Sequence, residues 1–429
     1  MDYIILPPEE INEIEVALPL SKSVSNRVLV ISALTDNPRP LPEIADCDDT
    51  RAITDALLEQ NPTKVDVGAA GTAMRFLTAY YAQNEAVSEV VIDGTERMRQ
   101  RPIGRLVDAL RQLGADIEYV GKDGFPPLRI KGRQLSGGEI SIDASVSSQF
   151  ISALMMIAPK MQNGLIINLT GDVVSAPYIT MTQRLMEQAG IAVDFSGGNK
   201  ITVEKGEYRP TDFIVDADWS AAAFWMEIAA MTTSEFELKG LRTDSLQGDR
   251  CAAELFAMLG VETEATDGGI HISPSPEMHA RVNVDLSENP DLAQPLAVTA
   301  CLLGIPFRLS GLSTLRNKET DRLAAIVNEM SKITFDVTID DDTLVWDGDR
   351  HPVDSNVIVF DTYADHRMAM SLAPIAFYAP GILVRDIDVV AKSYPDFWLH
   401  FEAAGFSLID PTTLQRKDND TDEKEDAEE

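Results

Sequence analysis

Two kinds of helical pattern alternate along this chain. The first is a run of small and apolar residues with almost no polar face, beginning near Ser23, Gly71, Ser147, Trp219, Leu292 and His366. These starts lie 48, 76, 72, 73 and 74 residues apart. The runs Ala153 to Ala158, Ala221 to Ala230 and Ala369 to Ala376 are apolar nearly all round, the pattern of a helix buried on every side. The second kind is amphipathic and follows each first run, over residues 49–60, 103–114, 178–190, 248–260, 321–330 and 394–405. Four of these close on Gly114, Gly190, Gly260 and Gly405, a helix stop signal. Short alternating stretches come next, at Asp116 to Val120, Ala192 to Phe195 and Val261 to Glu264. Turns such as Lys122-Asp123-Gly124 and Asp267-Gly268-Gly269 then lead back to Leu128 to Ile130 and Ile270 to Ile272, which reads as hairpins.

A supersecondary unit repeated at this spacing buries its core against its neighbours. At 429 residues the chain is too long for one ordinary core. Six units therefore predict an α/β protein of two domains, three units in each. The all-apolar helices are expected at the centre and the amphipathic ones over the sheet faces.

Composition narrows the chemistry. With 36 basic and 69 acidic residues the net charge is −33, which argues against nucleic acid or an acidic membrane surface as partner. No apolar stretch reaches membrane-spanning length, and Met1 to Glu10 lacks the pattern of a signal peptide. Cys47, Cys251 and Cys301 are three, an odd number, at spacings that match no metal pattern, so a reducing cytoplasm is the expected location. The tail from Lys417 to Glu429 holds eight acids and two lysines and is expected to be disordered.

The polar residues gather where the apolar helices begin. Ser21-Lys22-Ser23 opens the first and Gly68 to Arg75 the second. Ser147-Ser148-Gln149 opens the third, Asn289-Pro290-Asp291 precedes the fifth, and Asp365-His366-Arg367 opens the sixth. Each alone also fits an ordinary helix cap or a solvated charge. Placed at equivalent points of a repeat, they predict helix N-termini and cations converging on a multiply charged anion.

With those residues in view, the chain resembles the 5-enolpyruvylshikimate-3-phosphate synthase family, the 3-phosphoshikimate 1-carboxyvinyltransferases. The resemblance covers nearly the whole chain outside the acidic tail. It rests on Ser21-Lys22-Ser23 with Ser25-Asn26-Arg27, Ala70 to Arg75, Arg101-Pro102-Ile103, Ser147 to Phe150, Lys318 to Arg322, Asp365 to Met370, and Lys392 ahead of Pro395-Asp396. It implies a two-domain inside-out α/β barrel of six β-α-β-α-β-β units. The expected division is residues 1–20 with 215–416 as one domain, 21–214 as the other, and 417–429 as the tail. It assigns the phosphoenolpyruvate-side residues and the base to the first of these, and the shikimate 3-phosphate side to the second.

The resemblance also implies the reaction: the enolpyruvyl group of phosphoenolpyruvate passes to the 5-hydroxyl of shikimate 3-phosphate, with release of phosphate. Asp291 is the implied base, with Glu319 and Lys22 moving protons at the phosphoenolpyruvate end. Lys22, Arg101, Gln149, Arg322, Arg367 and Lys392 are implied to hold phosphoenolpyruvate, with Gly71 making room. Ser23, Arg27, Ser147, Ser148, Ser175, Lys318 and Asp291 are implied to hold shikimate 3-phosphate, with Tyr178 lining its ring. No metal or cofactor is implied, the site is expected between domains that close on substrate, and a monomer is expected.

Leu20, Ala69, Phe76 and Thr314 depart from the family pattern, where Gly, Asn, commonly Pro, and Asn are usual. Ala69 and Thr314 remove amide hydrogen-bonding capacity. Two other readings stand beside this one. The sister transferase acting on UDP-N-acetylglucosamine carries Asn where this chain has Ser23, and commonly a loop Cys that is absent between Gly71 and Ser147. A catalytically dead anion-binding protein on the same scaffold would not need Lys22, Asp291, Glu319, Arg322, Arg367 and Lys392 all intact.

Overall fold

The computed structural model describes residues 1–59, 61–232, 234–351 and 358–413; the expected disordered tail lies outside the described residues. Its helices are α1 (Lys22–Ala33), α2 (Asp48–Leu58), α3 (Gly71–Gln83), α4 (Gly104–Gln112), α5 (Ser148–Ile157), α6 (Ala176–Gln188), α7 (Trp219–Met231), α8 (Ala252–Ala257), α9 (Ala293–Leu303), α10 (Arg322–Ser331), α11 (His366–Leu372) and α12 (Phe397–Ala403). Every apolar run thus begins a helix within a residue of its expected start. Gly114 and Gly405 follow α4 and α12 with φ of +100° and +109°, a left-handed backbone in which a side chain is strained. The helix expected over 248–260 is shorter. It opens as a 3-10 turn at Gly248–Cys251, and a strand takes over at Leu259, which pairs with Met278 ahead of a bulge.

Five four-stranded sheets share one arrangement, a parallel pair followed by two antiparallel neighbours. In the simplest, Lys64–Asp66 and Val90–Asp93 run parallel across α3, and the hairpin Asp116–Tyr119/Leu128–Lys131 follows α4 and closes the sheet antiparallel. The order β-α-β-α-β-β recurs in the sheets of 138–203 and 282–346. Two further sheets borrow strands from the chain start. Glu15–Ala17 lies parallel to Phe236–Lys239, and Tyr3–Leu6 sits between Ile382–Val384 and Ser407–Ile409. The remaining repeat, the first in the chain, is the helix pair α1 and α2. Its flanks, 35–47 and 204–216, contain no regular strand.

The buried apolar residues form two clusters. One runs from Val24 to Phe213; the other joins Ile5, Val16 and Leu18 to Ala217 through Phe406. The two passages of chain between them lie side by side. Leu20 and Ala217 form a bridge, Ser21 N–H donates to the Asp216 carbonyl at 2.8 Å, and Asp218 N–H to that of Pro19 at 2.8 Å. The structure is thus a two-domain α/β fold with small sheets arranged around buried helices. Among the described residues no helix is long and apolar enough to cross a membrane.

α7 is buried along almost its whole length, as an all-apolar pattern requires. Its one acid, Glu227, is fully buried with neither carboxylate oxygen hydrogen-bonded. Burial alone holds its carboxyl protonated well above the ordinary value of 4.5. In the unfolded chain Glu227 ionises first as pH rises, so it lowers stability from about pH 4.5 upward, at no more than about 1.4 kcal/mol per pH unit. Glu227→Met is therefore expected to raise the melting temperature, and by more at pH 8 than at pH 5. An equal gain at both pH values in thermal unfolding would contradict this.

Candidate active site

All six apolar helices deliver their first residues to one cleft between the two clusters. Lys22 and Ser23 come from α1, Gly71 and Thr72 from α3, Ser148 and Gln149 from α5, and Ser220 from α7. Asp291 arrives just ahead of α9, and His366 and Arg367 open α11. The open space amounts to about 120 Å³. In a chain of net charge −33, seven basic side chains and four acidic ones line it. Of the sequence-predicted residues, Lys22, Ser23, Arg27, Gly71, Arg101, Ser147, Ser148, Gln149, Ser175, Tyr178, Asp291, Lys318, Glu319, Arg322 and Arg367 all line it. Lys392 joins through Glu319, to which its Nζ donates at 2.5 Å.

The first cluster supplies rigid cations. Arg27 is buried, with Nε on Thr182 Oγ1 at 2.7 Å, Nη1 on the Ser23 carbonyl at 2.8 Å, and Nη2 on Ser152 Oγ and the Tyr178 carbonyl. The Phe76 and Tyr178 rings lie 5.4 and 5.8 Å from its guanidinium carbon. Phe76, a departure from the family pattern, therefore packs against a site cation. Burial lowers the Arg27 pKa to about 10, which still leaves it charged at neutral pH. Gly71 leaves room for Arg101: a Cβ there would fall 2.5 Å from Arg101 Nη1 and push the guanidinium aside. Arg101 thus rests over the start of α3. Its buried Nε has no partner, and its Nη1 lies 3.5 Å from Glu319 Oε1.

Caps set the serines and the amide. Ser21 accepts from Val24 N–H and Ser147 from Gln149 N–H, as helix caps do, while Gln149 Nε2 donates to Thr72 Oγ1 at 3.2 Å. Ser175 precedes α6 with φ of +55°, and its N–H donates to the Ser287 carbonyl of the other cluster at 2.9 Å. Burial, with Asp249 and Asp291 nearby, keeps the Tyr178 hydroxyl protonated far above its usual range.

The second cluster is organised by Arg322. Its Nε and Nη2 grip Asp365 at 2.6 and 3.1 Å, Nη1 donates to Asp291 Oδ1 at 2.7 Å, and Nη2 to Glu319 Oε2 at 2.9 Å. Asp365 also caps α11 by accepting from Arg367 N–H at 2.9 Å. Asp291 takes further contacts from Lys318 Nζ at 3.1 Å and Arg367 Nη2 at 3.6 Å. Burial alone would raise its carboxyl, but Lys318, Arg367 and Arg322 prevail and hold it far below the usual carboxylate range. Glu319 is held well below its ordinary value in the same way, burial being outweighed by Lys392, Arg322 and Arg101. Lys22 is raised instead: burial opposes its charge, but Asp49 and Cys47 favour it more. Lys392 also donates to the Ala69 carbonyl at 2.9 Å, so the backbone is in use where the family's Asn side chain is lost. The Thr314 hydroxyl is buried and has no hydrogen-bond partner.

Asp49, Asp365 and His366 are among the cleft-region residues to which sequence reasoning assigned no role in the site. Asp49 lines the cleft beside Lys22, buried in the first turn of α2; its signal was only that of an acid at a helix start. Asp365 had the signal of a cap and is also the principal partner of Arg322. His366 lines the cleft with neither ring nitrogen bonded, and burial with Lys22 and Arg367 keeps it neutral.

Three comparisons bear on this arrangement. The family model for EPSP synthase (3-phosphoshikimate 1-carboxyvinyltransferase) matches residues 57–401. A 3-phosphoshikimate 1-carboxyvinyltransferase of Bacteroides fragilis is 46% identical over 410 residues, covering 95% of this chain and 99% of its own. One of Vibrio cholerae is 35% identical over 428 residues, covering 94% and 99%. An EPSP synthase structure from Acinetobacter baumannii shares the fold, with TM-score 0.75 and 22% identity over 95% of this chain and all of its own.

Removing the central cation would strand Asp365 and take one cation each from Asp291 and Glu319. Arg322→Met is expected to lower stability by about 3–5 kcal/mol at neutral pH. Asp291 and Glu319 have depressed folded pKa values, so their share of that stability is full above the ordinary carboxylate range, begins to fade there, and is lost as pH falls on to the depressed values. Urea unfolding at pH 7 and pH 4 checks both statements, and a loss no smaller at pH 4 would contradict the second.

Proposed function

This chain belongs to the EPSP synthase (3-phosphoshikimate 1-carboxyvinyltransferase) family, and from that premise we propose how its residues carry the reaction. Phosphoenolpyruvate and shikimate 3-phosphate combine; an enol ether forms between the 5-hydroxyl and carbon 2 of the enolpyruvyl group, and phosphate leaves. The product belongs to the shikimate pathway of aromatic amino-acid biosynthesis. The single observation that carries the reading is the convergence of six helix starts, their cations, and the carboxylates Asp291 and Glu319 on one cleft.

The proposed steps follow from the charges. As the 5-hydroxyl oxygen attacks carbon 2, its proton passes to Asp291, and carbon 3 takes a proton at the Lys22 end. Lys22 has the proton to give, since Asp49 beside it keeps the buried ammonium charged at neutral pH. In the elimination, Glu319 removes a proton from carbon 3 as the bond to phosphate breaks. Both carboxylates are weak bases while the cations rest on them. Substrate phosphates and carboxylates compete for Arg322, Arg367, Lys318 and Lys392, and each cation drawn away raises the basicity of the acid it leaves. Binding therefore prepares the bases. Arg101 and Arg367 hold the phosphoenolpyruvate anion through their planar forks, and Arg27 with the serines holds shikimate 3-phosphate. A division of the described chain into residues 1–20 with 215–413, and 21–214, agrees with the two apolar clusters.

Phosphate release that requires both substrates tests the reading, and its absence would contradict it. Asp291→Ala is expected to bind both ligands yet lose turnover by ~10²–10⁴-fold, the usual share of a positioned base. Near-normal turnover would remove Asp291 from the mechanism. Because the contacts come from both clusters, shikimate 3-phosphate is expected to raise the melting temperature and to tighten phosphoenolpyruvate binding. Calorimetry showing no coupling between the ligands would contradict that.

A further inference from the structure

The turn from Gly94 to Pro102 sends two arginines across the cleft to the same link of chain in the other cluster. Arg101 faces the Glu319 carboxylate. Arg97 reaches the backbone: its Nε donates to the Glu319 carbonyl at 2.9 Å and its Nη2 to the Lys318 carbonyl at 2.9 Å. The planar guanidinium fork suits two successive carbonyls.

Arg97 does not line the cleft and is exposed. Among the described residues it forms no ion pair, whereas Arg99, two positions on, is paired with Asp93 at 2.7 Å. Ordering a long exposed side chain costs rotamer entropy. Here its two hydrogen-bond partners both belong to the opposite cluster.

The link it grips needs support from outside. Residues 318–321 lie between a 3-10 turn at Ser313–Asn317 and α10, outside regular structure. They carry Lys318, which is on Asp291, and Glu319, which sits under Lys392 and Arg322. A small displacement of this backbone moves both side chains at once.

We propose that Arg97 is a positioning residue that fixes the 318–319 backbone from the opposite cluster. Lys318 and Glu319 then take their working register only when the two clusters are in contact. Arg97 acts through backbone carbonyls rather than through charge on a substrate. Only the kinetic part of the test rests on the transferase reading.

The experiment compares Arg97→Ala, Arg97→Lys and the control Arg99→Ala in the full chain. Arg97→Ala is expected to keep its melting temperature and its KM for shikimate 3-phosphate. Its kcat should fall roughly 10–100-fold, the scale of an ångström-level misplacement. Arg97→Lys, with one point charge for two carbonyls, should recover part of that loss, and Arg99→Ala should lose none. Amide hydrogen exchange supplies a readout independent of turnover: residues 318–321 should exchange faster in Arg97→Ala than in either the unsubstituted chain or Arg99→Ala. Unchanged exchange in that link would overturn the proposal. So would equal kcat in Arg97→Ala and Arg99→Ala, or a melting-temperature loss shared by both Arg97 variants without kinetic recovery in the lysine variant. If the unsubstituted chain releases no phosphate, the transferase reading fails, and the exchange measurement still decides the role of Arg97.

Discussion

The arrangement of the cleft depends on one buried guanidinium. Arg322, almost without exposure, is shared among Asp365, Asp291 and Glu319. A cation in that position is stable only because the carboxylates around it more than offset its desolvation, and it joins Lys318 and Arg367 in keeping Asp291 ionised and Lys392 in keeping Glu319 so. Asp365 ties the group to the start of α11, and Asp291 ties it to the approach to α9. Three segments distant in sequence are thus held in register by one side chain. Position and protonation state in this half of the site are consequences of the same contact.

The opposite half is built differently. Arg27 is held mostly by neutral partners, two hydroxyls and two carbonyls, with Phe76 and Tyr178 against its face. Arg101 has one buried donor without a partner and rests on the N-terminus of α3, where Gly71 leaves it room. Among the described residues Arg27 has no carboxylate partner and Arg101 has only Glu319, at 3.5 Å, so they offer an incoming anion more unshared charge than Arg322 does. A strongly acidic chain accommodates this because six helix starts direct their dipoles to the same region as its cations.

Contacts between the halves are few and specific. Lys392 reaches the Ala69 carbonyl, Ser175 N–H reaches the Ser287 carbonyl, and Arg97 and Arg101 reach Glu319 and its neighbour. All of these involve cleft residues or their immediate backbone. On the proposed assignment, bringing the halves together and assembling the catalytic groups would be one event, the circumstance in which substrate binding biases a two-state arrangement.

Much of this was legible along the chain. An all-apolar helix has no solvent face, so Ala221 to Ala230 declared its burial through periodicity alone. Left-handed glycines ended helices where local sterics demanded it, at Gly114 and Gly405. The repeat brought Ser23, Gly71, Ser148, Asp291 and Arg367 to equivalent positions, and equivalent positions in a closed fold converge. Long-range partners could not be read this way. Asp365 before α11 and Asp321 before α10 carry the same cap signal, yet only Asp365 is buried against Arg322, 43 residues away. Glu227 broke its apolar pattern without any sign of what would surround it. Arg97 and Arg99 look alike in sequence, and only the approach of the second cluster separates a local ion pair from a contact spanning 221 residues. Periodicity and capping are local and are written in neighbouring residues. Which charge meets which across the cleft depends on where distant backbones come to rest, and that was decided by tertiary packing.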